Sequence, residues 1–192
     1  MGSETWISVD VETSGPSPST GSLLSIGACL VEDESVGIEL VLRPDPSLPW
    51  TEEAQRIHRL DRAVLERDGL DPAEAMARLE AWVLARTPEG GRPVFVGLNA
   101  PFDWMFVADA FWRHLGRNPF GPSALDIKSL FLGAHLPQVA AWSETSRLRM
   151  LERHPVELPH THSALADAQE QAVLCRRIVE SATRAARPPR RP

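Results

Sequence analysis

Four carboxylates and one histidine stand out by type and spacing. Asp10 and Glu12 lie two residues apart in a stretch that alternates apolar and polar side chains. In a strand both would project from the same face. Two acids held this close repel unless a cation neutralises them. Asp103 follows Asn99-Ala100-Pro101-Phe102, which reads as the first turn of a helix. Asp167 stands one turn into the last helical segment, and His162 precedes it by five residues. Singly, each has an ordinary explanation. Strand ends carry acids by chance, helix first turns favour acids through the dipole, and a histidine at a loop–helix junction is commonly structural. The set reads differently, because it offers four hard oxygen donors and one base near neutral pKa. Those donors suit Mg²⁺ or Mn²⁺, and no Cys or His pair invites zinc. Two such ions about 3.5–4 Å apart clamp an in-line attack at phosphorus. His162 would then deprotonate the attacking water, with His160 as the rival for that role.

Positioning these side chains requires a sheet and several helices. Residues 6–11 alternate cleanly, with Ile7, Val9 and Val11 on one face and Trp6, Ser8 and Asp10 on the other, a pattern that continues to Glu12. Loop residues 14–18 end this strand. Residues 23–31 and 36–42 read as two further strands, and the short turn at 33–35 makes them an antiparallel hairpin. Helical patterns occupy 52–67, and a longer helix begins at Pro72 with Ala75, Leu79, Trp82 and Val83 on one side. Gly90-Gly91 breaks it. A short buried strand, 94–97, leads to Asn99, which can cap a helix carrying Phe102, Phe106, Ala110 and Phe111 as its apolar stripe. Residues 124–127 read as a fifth strand and 143–152 as a helix. Ser163 can cap the last helix, 164–183, which turns Leu165, Ala168, Ala172 and Ile178 inward. The expected architecture is α/β, a mixed sheet covered by helices.

The chain has 192 residues, 43% of them hydrophobic, enough for one core. One domain over 1–183 is expected, followed by a proline- and arginine-rich tail, 184–192, that cannot pack and reads as disordered. Cys29 and Cys175 sit in apolar runs without a Cys-x-x-Cys pair and read as buried, reduced thiols. Nothing at the N-terminus resembles a signal peptide, and no apolar run approaches a membrane span. The expected location is cytoplasmic. The net charge is −6, which excludes grip on nucleic acid by bulk positive charge. Without the four tail arginines it becomes about −10. The best local basic cluster is Arg147, Arg149 and Arg153, able to hold two or three phosphates.

The segment Asp10-Val11-Glu12-Thr13-Ser14-Gly15 resembles the first motif of the DEDD exonuclease superfamily. Gly97-Leu98-Asn99-Ala100-Pro101-Phe102-Asp103 resembles the second. His162-Ser163-Ala164-Leu165-Ala166-Asp167-Ala168 resembles the third in its histidine-bearing (DEDDh) form, shared by ribonuclease T, oligoribonuclease and the proofreading exonuclease subunit of bacterial replicative DNA polymerase. Ile57-His58-Arg59-Leu60 and Leu125-Asp126 also fall where such proteins carry a linker and a strand-end acid. The resemblance spans about residues 5–180. It implies a ribonuclease H-like fold with a five-stranded sheet, three leading strands antiparallel and two parallel. It implies a 3′–5′ exonuclease that releases nucleoside 5′-monophosphates from single-stranded RNA or DNA, and it allows a homodimer, for which exposed Trp112 or Trp142 could serve. In the metal site, Asp10 would bridge two ions, Glu12 and Asp167 would complete the first site, and Asp103 would hold the second. His162 would be the general base. Thr13 would bond the terminal nucleotide, and Asn99 and Phe102 would shape the pocket. Two positions depart from the pattern: Leu98 stands where many relatives have His, and Pro16 where many have Leu or Met. The competing readings are a catalytically weak nucleic-acid-binding or interaction module on the same fold, an endonuclease or structure-specific enzyme, and a purely structural acidic cluster.

Overall fold

The computed structural model describes residues 3–158 and 163–186. His160 and His162, and residues 187–192 of the tail, lie outside the described residues. The five strands are β1 (Glu4–Thr13), β2 (Leu23–Leu30), β3 (Gly37–Val41), β4 (Arg92–Gly97) and β5 (Ala124–Asp126). They form one sheet in the order β3-β2-β1-β4-β5. β1, β2 and β3 pair antiparallel in sequence, and β4 and β5 run parallel to β1, as expected.

The alternation of β1 divides the core. Ile7, Val9 and Val11 face one layer with Ile26, Ala28 and Leu40 of the neighbouring strands. That layer is closed by helices α3 (Pro72–Arg86) and α4 (Ala100–Leu115), which contribute Met76, Leu79, Val83, Phe106, Val107 and Phe111. Asp71 caps α3, accepting the Ala73 and Glu74 amides, and Pro72 opens the first turn, where its missing N–H costs nothing. The other sheet face carries α5 (Ile127–Ala134), α6 (Arg147–Arg153) and α7 (Ala164–Ala185), packed through Ile127, Phe131, Met150, Ala168, Ala172 and Ile178. Cys29 and Cys175 are buried in this second layer, and burial pushes both thiols up to about 12. No helix among the described residues is long and apolar enough to cross a membrane.

Several boundaries differ from the sequence pattern, and α5, which starts at Ile127 where the fifth strand is expected to end, is not anticipated by it. The helical stretch at 52–67 divides into α1 (Glu52–His58) and α2 (Arg62–Asp68), because Arg59 turns into the left-handed region (φ 55) and Asp61 starts a new cap. Residues 143–152 form a 3₁₀ turn (Trp142–Thr145) and then α6, with Ser146 accepting the Arg149 amide as N-cap. Helix α7 runs on to Ala185 and so takes in the first two residues of the expected tail.

Candidate active site

The site forms where β1 outruns its neighbour. β4 pairs with β1 only from Glu4 to Ser8, whereas β1 continues to Thr13. In this gap the Val11 amide donates to Asp103 Oδ1 at 3.1 Å. Asp103 arrives there because α4 begins at Ala100, soon after β4 ends at Gly97, which puts Asp103 in its first turn, four residues beyond Asn99. Asn99 adopts the left-handed conformation (φ 65), which Asn tolerates better than most residues. Its side chain makes no capping bond, contrary to expectation. Instead Asp126 Oδ1, from the end of β5, accepts the Ala100 amide at 3.1 Å, while Oδ2 caps α5 through Ser129. A turn held open by a left-handed residue cannot present its own carboxamide to the helix, so a neighbouring strand supplies the cap.

Helix α7 delivers the remaining acid from the opposite face of the sheet. Its first turn lies against Gly27 of β2, the residue paired with Asp10. A Cβ at Gly27 would come within 2.1 Å of the Ala164 carbonyl carbon and the Leu165 nitrogen. Only glycine permits this approach. Ser163 does not cap α7 with its side chain, the second such correction. Its hydroxyl donates to Glu39 Oε1 on β3 at 2.9 Å, and the Leu165 amide points to the same oxygen at 3.4 Å. One turn past Asp167, Gln171 is buried, with Nε2 donating to Asp10 Oδ1 at 2.6 Å and Oε1 accepting the Leu98 amide at 2.9 Å.

Asp10, Glu12 and Asp167 each place a carboxylate oxygen within 4.8 Å of the others. Asp103 joins them from behind β1, and Glu12, Asp103 and Asp167 are all buried. Burial raises Asp10 well above the usual carboxylate range, and the charges of Asp103, Glu12 and Asp167 raise it further against the Gln171 hydrogen bond. Glu12 is pushed up to about 7 by burial, then by Asp167 and Glu39. Asp103 is pushed up to about 8 by burial, against the Val11 and Asp103 amides that favour its charged form. Without a cation the charged forms of these acids oppose one another. The donor set is all oxygen, convergent and negative, which fits a hard divalent cation.

The acids floor a cleft of about 630 Å³. One wall carries Thr13, Gly15 and Pro16; another carries Leu98, Asn99 and Phe102; α1 supplies Glu53, Ala54, Ile57 and His58. All seven predicted site residues within the described residues, namely Asp10, Glu12, Thr13, Asn99, Phe102, Asp103 and Asp167, therefore line one cavity. The eighth, His162, lies outside the described residues. The Thr13 hydroxyl donates to the Gly15 carbonyl, so what it offers a ligand is its acceptor lone pairs. Gln171 and Glu39 were not evident as site residues, and Asp126 was noted only as a strand-end acid. Gln171 carried one signal, its i+4 spacing from Asp167 on the same helical face. Two of the three arginines of the expected phosphate-holding cluster have carboxylate partners. Arg147 is locked onto the buried Glu170 carboxylate through both Nε and a terminal nitrogen, and Arg149 pairs with Glu152.

Comparison with known proteins gives consistent findings. A family model described as exonuclease (RNase T) matches residues 7–174. The chain is 41% identical over 175 residues, 91% of each chain, to the 3′–5′ DNA exonuclease Cap18 of Escherichia coli. Among solved structures it is similar to the nuclease domain of 3′hExo, a DEDDh family member bound to rAMP. That match has a TM-score of 0.72 at 13% identity and covers 92% of both chains. It is also similar to E. coli exonuclease I in complex with a dT13 oligonucleotide, with a TM-score of 0.68 at 19% identity, covering 97% of this chain and 42% of that one. At these identities the structural likeness carries the fold, which is ribonuclease H-like.

Proposed function

We propose that this chain, which belongs to the RNase T exonuclease family, is a 3′–5′ exonuclease of the DEDDh type that shortens single-stranded DNA by a two-metal-ion reaction releasing nucleoside 5′-monophosphates. The observation that carries this reading is the convergence of the Asp10, Glu12 and Asp167 carboxylates within 4.8 Å at the floor of an open cleft. The choice of DNA follows the relative that shares 41% identity.

Asp10, Glu12, Asp103 and Asp167 would hold two Mg²⁺ or Mn²⁺ ions in this reading. When bound, such ions stabilise the charge that develops on the attacking and leaving oxygens at phosphorus. The protein's own residues do the rest. Phe102, Ile57 and Pro16 offer apolar surface to the terminal nucleotide, while Asn99 and Thr13 offer it hydrogen-bonding groups. The cleft volume suits one small ligand such as a terminal nucleotide. His162 takes a proton from the attacking water as the phosphodiester bond to the terminal nucleotide breaks. The leaving 3′-oxygen takes a proton from solvent and becomes the new 3′-hydroxyl end. Single strands are favoured because a duplex must first fray, at a cost of a few kcal/mol, and a net charge of −6 gives no bulk attraction to offset it.

The test uses matched single-stranded DNA, single-stranded RNA and duplex DNA with free 3′-hydroxyls. Single-stranded DNA should be degraded fastest, to mononucleotides. Faster loss of RNA, or of blunt duplex, would overturn the substrate assignment.

A further inference from the structure

Asp10 faces the charges of Asp103, Glu12 and Asp167 together. One side chain works against that conflict. Gln171 is 5% exposed and spans from α7 to two other segments, accepting from the Leu98 amide at 2.9 Å and donating to Asp10 Oδ1 at 2.6 Å. The two bonds determine each other. A backbone N–H can only donate, so the carboxamide oxygen must face Leu98 and the NH₂ must face Asp10. The amide cannot turn over without breaking both bonds. Leu98 lies one residue beyond the last β4–β5 pair, so its amide has no strand partner on that edge. Gln171 therefore joins the segments that carry Asp10, Asp103 and Asp167.

We propose that Gln171 is the positioning residue of the acidic site, fixing the Asp10 carboxylate for cation capture through one neutral hydrogen bond. The inference rests on the reading of the acids as a divalent-cation site. A carboxylate has about four lone-pair sites, and Gln171 occupies one on Oδ1, leaving Oδ2 and the rest of Oδ1 available. Its neutrality matters. A Lys or Arg here would also orient Asp10, but its charge would replace the cation that the acids are arranged to attract. An amide orients the carboxylate and leaves the negative field intact. Partners of this kind, behind a ligating group, change metal affinity or activity by about 10- to 100-fold when removed.

The experiment compares the full chain with Gln171→Leu and Gln171→Met, two apolar side chains of similar size, by calorimetric titration with Mn²⁺. Turnover is measured across a Mn²⁺ series alongside. Both variants should bind Mn²⁺ about 10- to 100-fold more weakly. Their kcat should fall at low Mn²⁺ and recover at high Mn²⁺, with KM for the oligonucleotide unchanged. A role in packing alone would lower the melting temperature and leave Mn²⁺ affinity within twofold, and that result overturns the inference. Gln171→Met, the more adaptable of the two, decides if Gln171→Leu does not fold. Wild-type protein that takes up no Mn²⁺ would instead overturn the metal reading on which the inference rests.

Discussion

Gly27→Ala should separate the fold from the chemistry. The added Cβ would sit 2.1 Å from backbone atoms of Ala164 and Leu165, whereas ordinary contact begins at 3.4 Å, so about 1.3 Å of movement is required. β2 is hydrogen-bonded to β1 on one side and β3 on the other and cannot retreat. The start of α7 must move instead, and Asp167 lies only three residues further along it. Overpacking of this size costs about 1–3 kcal/mol, which at this chain length lowers the melting temperature by roughly 5 °C. The effect on turnover should be larger, because a displacement of about 1 Å in a reacting constellation costs on the order of 100-fold. Gly133, where an added Cβ meets nothing within 4 Å, supplies the control. The assay pairs thermal unfolding with turnover of a 5′-labelled single strand in Mn²⁺. A Gly27→Ala protein with wild-type melting and wild-type turnover would refute the argument that helix–sheet contact places Asp167.

Other outcomes follow from the same geometry. Glu12 stands at about 7 in the folded protein against 4.5 ordinarily. A carboxyl raised on folding contributes stability below its unfolded pKa and loses it as pH rises through the folded value. In EDTA, wild-type protein should therefore weaken from pH 5 to 8, and Glu12→Gln should weaken less, by about 2 kcal/mol after discounting for solvent in the open cleft. Parallel melting curves for the two proteins across that range would contradict this. His162→Ala should lower kcat by roughly 10²–10⁴-fold with Mn²⁺ affinity unchanged; an intact rate there, with the loss in His160→Ala, would move the base to His160. With Arg147 committed to Glu170, the log–log salt dependence of single-strand binding should be about −2 or shallower on a scale of roughly −0.7 per phosphate contact. A slope near −6 would reveal a phosphate-binding surface not accounted for.

Much of this arrangement was legible in the sequence because the informative patterns are local. The two-residue period over 6–12 assigns Asp10 and Glu12 to one face, and the structure gathers Ile7, Val9 and Val11 into the core layer on the other. The short turn at 33–35 declares the hairpin. What escaped depends on contacts between distant segments. Asn99 and Ser163 have the residue types of helix caps, yet Asp126 caps one helix and Glu39 holds the start of the other from separate strands. Arg147 reads as a phosphate ligand until Glu170, 23 residues later, is seen to claim it. Gly27 looks like an ordinary strand glycine until α7 is laid across it. Capping propensity and charge are one-residue signals, and tertiary partners reassign them.

The most direct test of the central claim is degradation of a 5′-labelled single-stranded DNA by the full chain in Mg²⁺, with a 3′-blocked copy and the Asp10→Asn protein alongside. The account predicts a ladder that shortens from the free 3′-hydroxyl end and releases nucleoside 5′-monophosphate. It predicts no product in EDTA and none from folded Asp10→Asn. Equal cleavage of the 3′-blocked strand, or undiminished turnover by Asp10→Asn, would contradict it.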